Sequence, residues 1–500
     1  MERQIANSSH SSLDVAIAIP HSTLNDVDSP RLLTINNCIV AAAMLASAVL
    51  AWWHIRSVSI WYDEAITMLT VSGHAIPDSS LTMQQFHPSA NLLKILSDLY
   101  HYDVHPPLYF WTLAIWRVIF GGSLEVARAL STLFTLATLA LLYRYAIAVE
   151  LRWPSVPVVL YALSAAGLRY AYNARPYAMA TFLIVLTLYL AHRKSCWTGL
   201  CAAACVATHY FAALCVGPIV VIECLLAWHL GRRRVLITFF SFAALCAPLT
   251  ILVANHVGAR PHQYPGFGIF RKELHELLRA AIKGAMPSSS LWRYWYLAIV
   301  LAGLFALVGG FRAIARKQFT LPFAYAAFLS SFLLLAVVTN KSIMQMPNDY
   351  YLGVGAPLLV LLMAYGVNAV PYAAPLLAAA VLVGTITQTP TPMFTYPDYR
   401  AMMAHIRSEC DHCAVLVGFG WGGSVPACVL YESHGLDVYS LKWRDTPEEV
   451  LQRIGPNRTI YLIPANEPRT IDIEKQFEQS FLSEPGDGYF KLDLAHPLPH

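Results

Sequence analysis

Apolar runs of about 17–25 residues recur along the first four-fifths of this chain, and nothing constrains its fold more. A run of that length crosses the hydrocarbon layer of a bilayer as a helix, which satisfies its own backbone hydrogen bonds. Candidate spans fall at 32–54, 126–148, 154–171, 177–192, 196–209, 211–230, 235–255, 294–311, 319–339, 350–369 and 372–389, about eleven in all. With 57% hydrophobic and 13% charged residues, an ordinary soluble enzyme is excluded. Residues 1–31 lack a basic segment leading into an apolar core, so they read as a disordered cytoplasmic tail and not a signal peptide. Residues 32–390 form the membrane domain. From 391 to 500 the composition turns charged and mixed, predicting an outer-face α/β domain. Its strands are expected near 413–419, 436–441 and 459–464, and its helices near 397–409, 424–434, 446–454 and 470–482. The predicted fold class is an α-helical polytopic membrane protein with outer interfacial helices and a C-terminal α/β soluble domain.

Basic residues cluster between spans: Arg144 with Arg152, Arg193 with Lys194, Arg232 to Arg234, and Arg312 with Arg316 and Lys317. The positive-inside rule places all four clusters in the cytoplasm. The apolar stretch 108–120 is only about 13 residues long, too short to span. Laid along the surface within a first outer loop of 57–124, it lets every cluster and the N-terminus fall inside. Asp63, Glu64, His105, Arg169, Arg175, His209, Tyr210, the stretches 260–283 and 341–350, and the C-terminal domain then share the outer face. A net charge of +4, carried between membrane helices, gives no footing for nucleic acid.

Acids are scarce here, so Asp63-Glu64 just beyond the first span, beside Trp61 and Tyr62, stands out. Such a pair can serve a helix N-terminus through the macrodipole alone. The chemical alternative makes one carboxylate a general base or a ligand to a divalent cation, with the other orienting it. Downstream lies DVHPPLYFW, in which His105 precedes two prolines suited to a helix start. In RYAYNARPYA, Arg169 and Arg175 alternate with Tyr170, Tyr172 and Tyr177. A lone arginine at that depth would simply snorkel. Two guanidinium groups among interfacial tyrosines suit an anionic headgroup better. His209 is by default a satisfied interfacial histidine, with ligand contact as the alternative.

Seven cysteines in or beside apolar segments read as small buried hydrophobes. Cys410 and Cys413 form a CxxC whose fourth zinc ligand is missing, so a disulfide or free thiols are expected. Gly418, Gly420 and Gly423 match GxGxxG after a strand-like AVLV, but Pro426 interrupts the following helix. A tight strand-to-helix turn explains them better than a dinucleotide site.

WYDEA, DVHPPLYFW, the run from Arg128 to Thr132, ARPYA, NDYYLGVGAPLLVLLMAYG and PDYR, in that order, resemble the polytopic GT-C glycosyltransferases. That superfamily includes the protein O-mannosyltransferases and the bacterial lipid A aminoarabinose transferase. The resemblance runs from about residue 35 to 400. It implies a transferase of the bacterial cytoplasmic membrane that takes a sugar from a polyprenyl-phosphate donor. Its essential acids map to Asp63 and Glu64, and its His-Pro-Pro region to His105, which would line the donor and metal site. Asn173 stands where many relatives have an acid, and Tyr350 where many have a basic residue.

The expected scheme follows. Asp63 deprotonates the acceptor, and the sugar moves with inversion. His105, Arg169, Tyr172, Arg175, Tyr177 and Lys341 bind the donor and its phosphate. A divalent metal at His105 and His209 is left open. The acceptor is a lipid, glycan or protein carrying a hydroxyl or phosphate. The rival readings are a polytopic transporter or lipid flippase, and a non-catalytic envelope assembly protein. Few intramembrane charges and no visible inverted repeat weigh against transport.

Overall fold

The computed structural model describes residues 30–74, 83–103, 105–227, 232–258, 281, 292–339, 348–370, 398–410, 412–418, 424–441, 445–455, 458–465, 474–475, 477, 481–485 and 489–497. The expected span at 372–389, the tail before residue 30 and Lys341 lie outside them, as does nearly all of 260–283.

Among the described residues, three helices are long and apolar enough to cross a membrane unaided. They lie within α1 (Pro30–Ser57), α5 (Leu124–Ala148) and α11 (Arg232–Gly258). Between α1 and α5 come α2 (Tyr62–Val71), a 3-10 turn at Met83–Phe86, α3 (Leu92–Tyr102) and α4 (Pro107–Phe120). The remaining membrane-domain helices are α6 (Val156–Ala162), α7 (Ala165–Ala171), α8 (Tyr177–His192), α9 (Thr198–Thr208), α10 (Ala213–Ala227), α12 (Trp292–Ala315), α13 (Thr320–Thr339), α14 (Asn348–Gly353) and α15 (Ala356–Val367). Trp53, Val49 and Leu45 of α1, Phe240 and Ile251 of α11, and Leu307 and Phe311 of α12 present large apolar side chains outward. A solvent-facing surface would not tolerate so much of that character, whereas lipid does.

Two expected spans are broken. The stretch 154–171 divides at Leu163–Ser164 into α6 and α7. Ser164 Oγ accepts from Gly167 N at 2.9 Å and donates to Tyr161 O at 2.8 Å, supplying partners for backbone groups freed by the break. A Cβ on Gly167 would lie 1.9 Å from Tyr161 O, so only glycine closes this corner. The stretch 350–369 likewise divides at Val354–Gly355 into α14 and α15. Hydropathy reads through both breaks because their residues are apolar or small. α15 then packs tightly on α12. A Cβ on Gly309 would meet Leu362 O at 1.7 Å, and one on Gly366 would meet Phe305 O at 2.0 Å. Such backbone contact is how membrane helices associate where the hydrophobic effect gives no drive.

The stretch 108–120 is α4, with Pro107 at its first turn. Tyr109, Phe110, Leu113, Ala114 and Arg117 face inward, while Ile115, Val118, Ile119 and Phe120 face out. Arg117 is buried, with no carboxylate partner among the described residues. It donates to the carbonyls of Met68, Phe86 and Gly122 and to Ser72 Oγ, and burial lowers it to about 10.

The basic clusters gather at one end of the bundle. Arg234 pairs with Glu223 at 2.8 Å, and Glu223 also accepts from Thr320. Arg312 donates to Asn368 O, and Arg316 to Glu150 O. α5 runs from this end, at Ala148, to the opposite end at Leu124.

Beyond the membrane domain come α16 (Tyr399–Glu409), β1 (Ala414–Val417), α17 (Ser424–Glu432), β2 (Asp437–Ser440), α18 (Pro447–Ile454), β3 (Ile460–Ile463), β4 (Phe481–Pro485) and β5 (Phe490–Pro497). The sheet order is β2-β1-β3-β5-β4; β1 pairs parallel with β2 and β3, and β5 antiparallel with β3 and β4. β4 corrects only the end of the helix expected over 470–482: Phe481 and Leu482 pair with β5, while the described residues Glu474, Lys475 and Phe477 are helical. Cys410 and Cys413 form a disulfide between α16 and β1.

Candidate active site

Consecutive residues on a helix point about 100° apart, so Asp63 and Glu64 in the first turn of α2 face different surroundings. Glu64 turns into the bundle. Its Oε1 accepts from Arg128 Nε at 2.9 Å and from Ala174 N at 2.8 Å, and its Oε2 accepts from Arg128 Nη2 at 2.6 Å. Arg128 gives its other donors to the carbonyls of Ile55, Val58 and Ser59. This fork ties the end of α1, the start of α2 and α5 into one unit. Glu64, read from sequence as part of the catalytic pair, is fully buried with both oxygens accepting these hydrogen bonds.

Asp63 stays open: its side chain is 35% exposed. Arg175 Nη2 lies 3.4 Å from Asp63 Oδ2, and Nη1 donates to Asp63 O at 3.3 Å and to Thr67 Oγ1 at 2.8 Å. Arg175 follows α7 in the short Asn173–Pro176 connection, and its side chain is only 3% exposed. Burial opposes its charge, but Asp63 and then Tyr177, Asp103 and Tyr351 more than offset that, raising the guanidinium above its ordinary range. Its Nε has no hydrogen-bond partner among the described residues.

His105 bridges the same arginine to a third acid. Arg175 Nη2 is 2.9 Å from His105 Nε2, and His105 Nδ1 is 2.6 Å from Asp103 Oδ1. Guanidinium groups only donate, so Nε2 accepts and the ring proton sits on Nδ1, donated to Asp103. Asp103, Thr67 and Arg128 were not among the sequence candidates. Asp103 was the most accessible of the three, standing two residues before His105 in the same motif.

Tyr177 stacks on Tyr170 at 5.1 Å and bonds with Arg175, while His209 packs 5.2 Å from Tyr177 and 6.2 Å from His105. His209 is buried and its Nδ1 lacks a hydrogen-bond partner among the described residues. Tyr351 and Phe211 complete this aromatic wall. Tyr172 instead stacks on His54 of α1 at 4.8 Å, and Arg169 sits beside Tyr172, half-buried. The two arginines expected at one headgroup therefore have separate settings. Asn173 Oδ1 accepts from Trp61 Nε1 at 3.1 Å and so braces the loop before α2.

The side chains do not fit a metal at His105 and His209. Both ring nitrogens of His105 are engaged, and no group of three metal-ligating side chains occurs among the described residues.

The C-terminal domain reaches the same helix. α17 packs against α2, and its Cys428 is buried within electrostatic reach of Glu64 and Asp63; burial first, then these acids and Glu432, push its thiol well up.

No family model matches the chain, and no curated protein does. Solved structures do align with it, among them two of ArnT from Cupriavidus metallidurans. The one bound to undecaprenyl phosphate is 13% identical, covers 91% of this chain and 97% of its own, and has a TM-score of 0.43. The apo form is 11% identical, covers 90% and 97%, and has a TM-score of 0.43. With so few shared residues, function is to be read from this chain's own side chains.

Proposed function

We propose that this protein is a membrane glycosyltransferase that moves a sugar from a polyprenyl-phosphate donor to an acceptor hydroxyl or phosphate. The observation that carries the reading is Asp63: a partly open carboxylate held beside a buried arginine, where an apolar bundle meets a polar domain. A lipid-linked sugar places its tail in hydrocarbon and its phosphate at such a boundary. Asp63 accepts the proton of the incoming hydroxyl. The acceptor oxygen bonds to the anomeric carbon as the bond from that carbon to the phosphate oxygen breaks, inverting the centre. Polyprenyl phosphate leaves with the electron pair, and Arg175, with its unpaired Nε–H, stabilises that developing charge. His105 and Tyr177 hold the arginine in place. Arg169, Tyr172 and Lys341 remain candidates for contact further along the donor.

The basic end of the bundle belongs in the cytoplasm by the positive-inside rule, which puts Asp63 and the C-terminal domain on the outer face of a bacterial inner membrane. Mass spectrometry of envelope lipids and glycans tests the reading in cells with the protein, without it, and with Asp63→Asn. One sugar-modified species should be lost in the last two. Identical profiles in all three would refute it.

A further inference from the structure

The loop that leads into α2 and Asp63 is gripped twice. From within the membrane domain, Arg128 holds the carbonyls of Ile55, Val58 and Ser59. From the C-terminal domain, Glu432 Oε1 accepts from Ile60 N at 3.3 Å. Arg400 donates from Nε to Glu432 Oε2 at 3.2 Å, from Nη1 to Arg56 O, and from its backbone N–H to Ser59 Oγ at 3.4 Å. One residue earlier on α17, the Tyr431 hydroxyl accepts from Leu124 N at 2.7 Å, and its ring meets Phe86 edge-on at 5.3 Å. Glu432 is only 2% exposed. A carboxylate buried so deeply needs close partners, and here they include the loop's own backbone.

We infer that the C-terminal domain completes the active site, with Arg400 and Glu432 acting as positioning residues that fix the loop leading into Asp63 from above. The activity arm of this inference rests on the proposed transfer; a second arm does not. Cys428 lies on α17 itself and is fully buried, so its alkylation reports whether that helix has lifted.

The test uses full-length protein in nanodiscs. Cys428 alkylation is followed by peptide mass spectrometry, and transfer kinetics are measured for wild type, Glu432→Ala, Glu432→Gln and Arg400→Ala. Glu432→Ala should raise the Cys428 alkylation rate by about tenfold or more through local opening. It should also lower kcat roughly tenfold or more, since small displacements of a reacting group are costly, while KM for the donor stays within about twofold. Arg400→Ala should behave similarly, and Glu432→Gln, which keeps an acceptor for Ile60 N, should fall between. Arg453→Ala, in an ion pair with Asp445 on the same domain, should match wild type in both measures. Unchanged Cys428 protection in Glu432→Ala, or an exposed Cys428 with wild-type kcat, would overturn the inference. If the wild type transfers no sugar, the proposed function fails, while Cys428 protection still decides whether the latch holds the domain down.

Discussion

Two arginine–carboxylate pairs flank the start of α2, and they differ in almost everything except composition. Glu64 and Arg128 are sealed, each side chain 1% exposed, with a bidentate fork and every guanidinium donor placed. Asp63 and Arg175 meet at 3.4 Å, with the acid open and the arginine Nε unmatched. Saturated hydrogen bonding makes a pair structural, whereas unspent donors and an accessible oxygen leave a pair free to meet a ligand. Adjacent carboxylates in one motif thus divide between holding the site together and acting in it.

The largest effect should come from breaking the sealed pair. Arg128→Ala strands a buried carboxylate at a cost of about 3–5 kcal/mol. It should appear as a lower melting temperature and poor recovery of folded protein by size exclusion. Replacing both partners, as Arg128→Met with Glu64→Leu, should restore part of that stability, because no lone charge remains.

On the open pair the order reverses. Asp63→Asn should reduce transfer by about 10²–10⁴-fold, with thermal unfolding close to wild type. A variant that unfolded instead would erase the distinction between the pairs. Arg175→Lys keeps the charge but loses the planar fork that reaches Asp63, Thr67 and His105 together. A loss of roughly 10²-fold in kcat is expected, read from donor-saturated initial rates. The smallest effect belongs to the bracing acid. Asp103→Ala should cost about 10–100-fold in transfer by releasing the His105 ring, and Asp103→Asn, which can still accept from Nδ1–H, should recover most of it.

Much of this was legible in the chain. The apolar runs located the described membrane helices, and the charged remainder located α16, β1, α17, β2, α18 and β3 within a few residues. The broken spans escaped because leucine, alanine, serine and glycine keep hydropathy high across a backbone break. β4 escaped because its short run takes its shape from pairing with β5 rather than from local propensity. At the site, motif order brought Asp63, His105 and Arg175 forward, and the structure places them in contact. The separate settings of Asp63 and Glu64 could not be read, since they depend on Arg128 sixty-four positions from Glu64. Glu432 was less visible still, an ordinary surface-type residue until the domain folds onto the loop, and Arg400, though part of the PDYR run, carried no sign of this contact.

The proton on His105 carries one last consequence. Because the ring must take a hydrogen from Arg175 while giving one to Asp103, no side chain that solely donates is interchangeable with it. A lysine grafted at that position would set cation against cation, and the arginine would have to swing away to find new company.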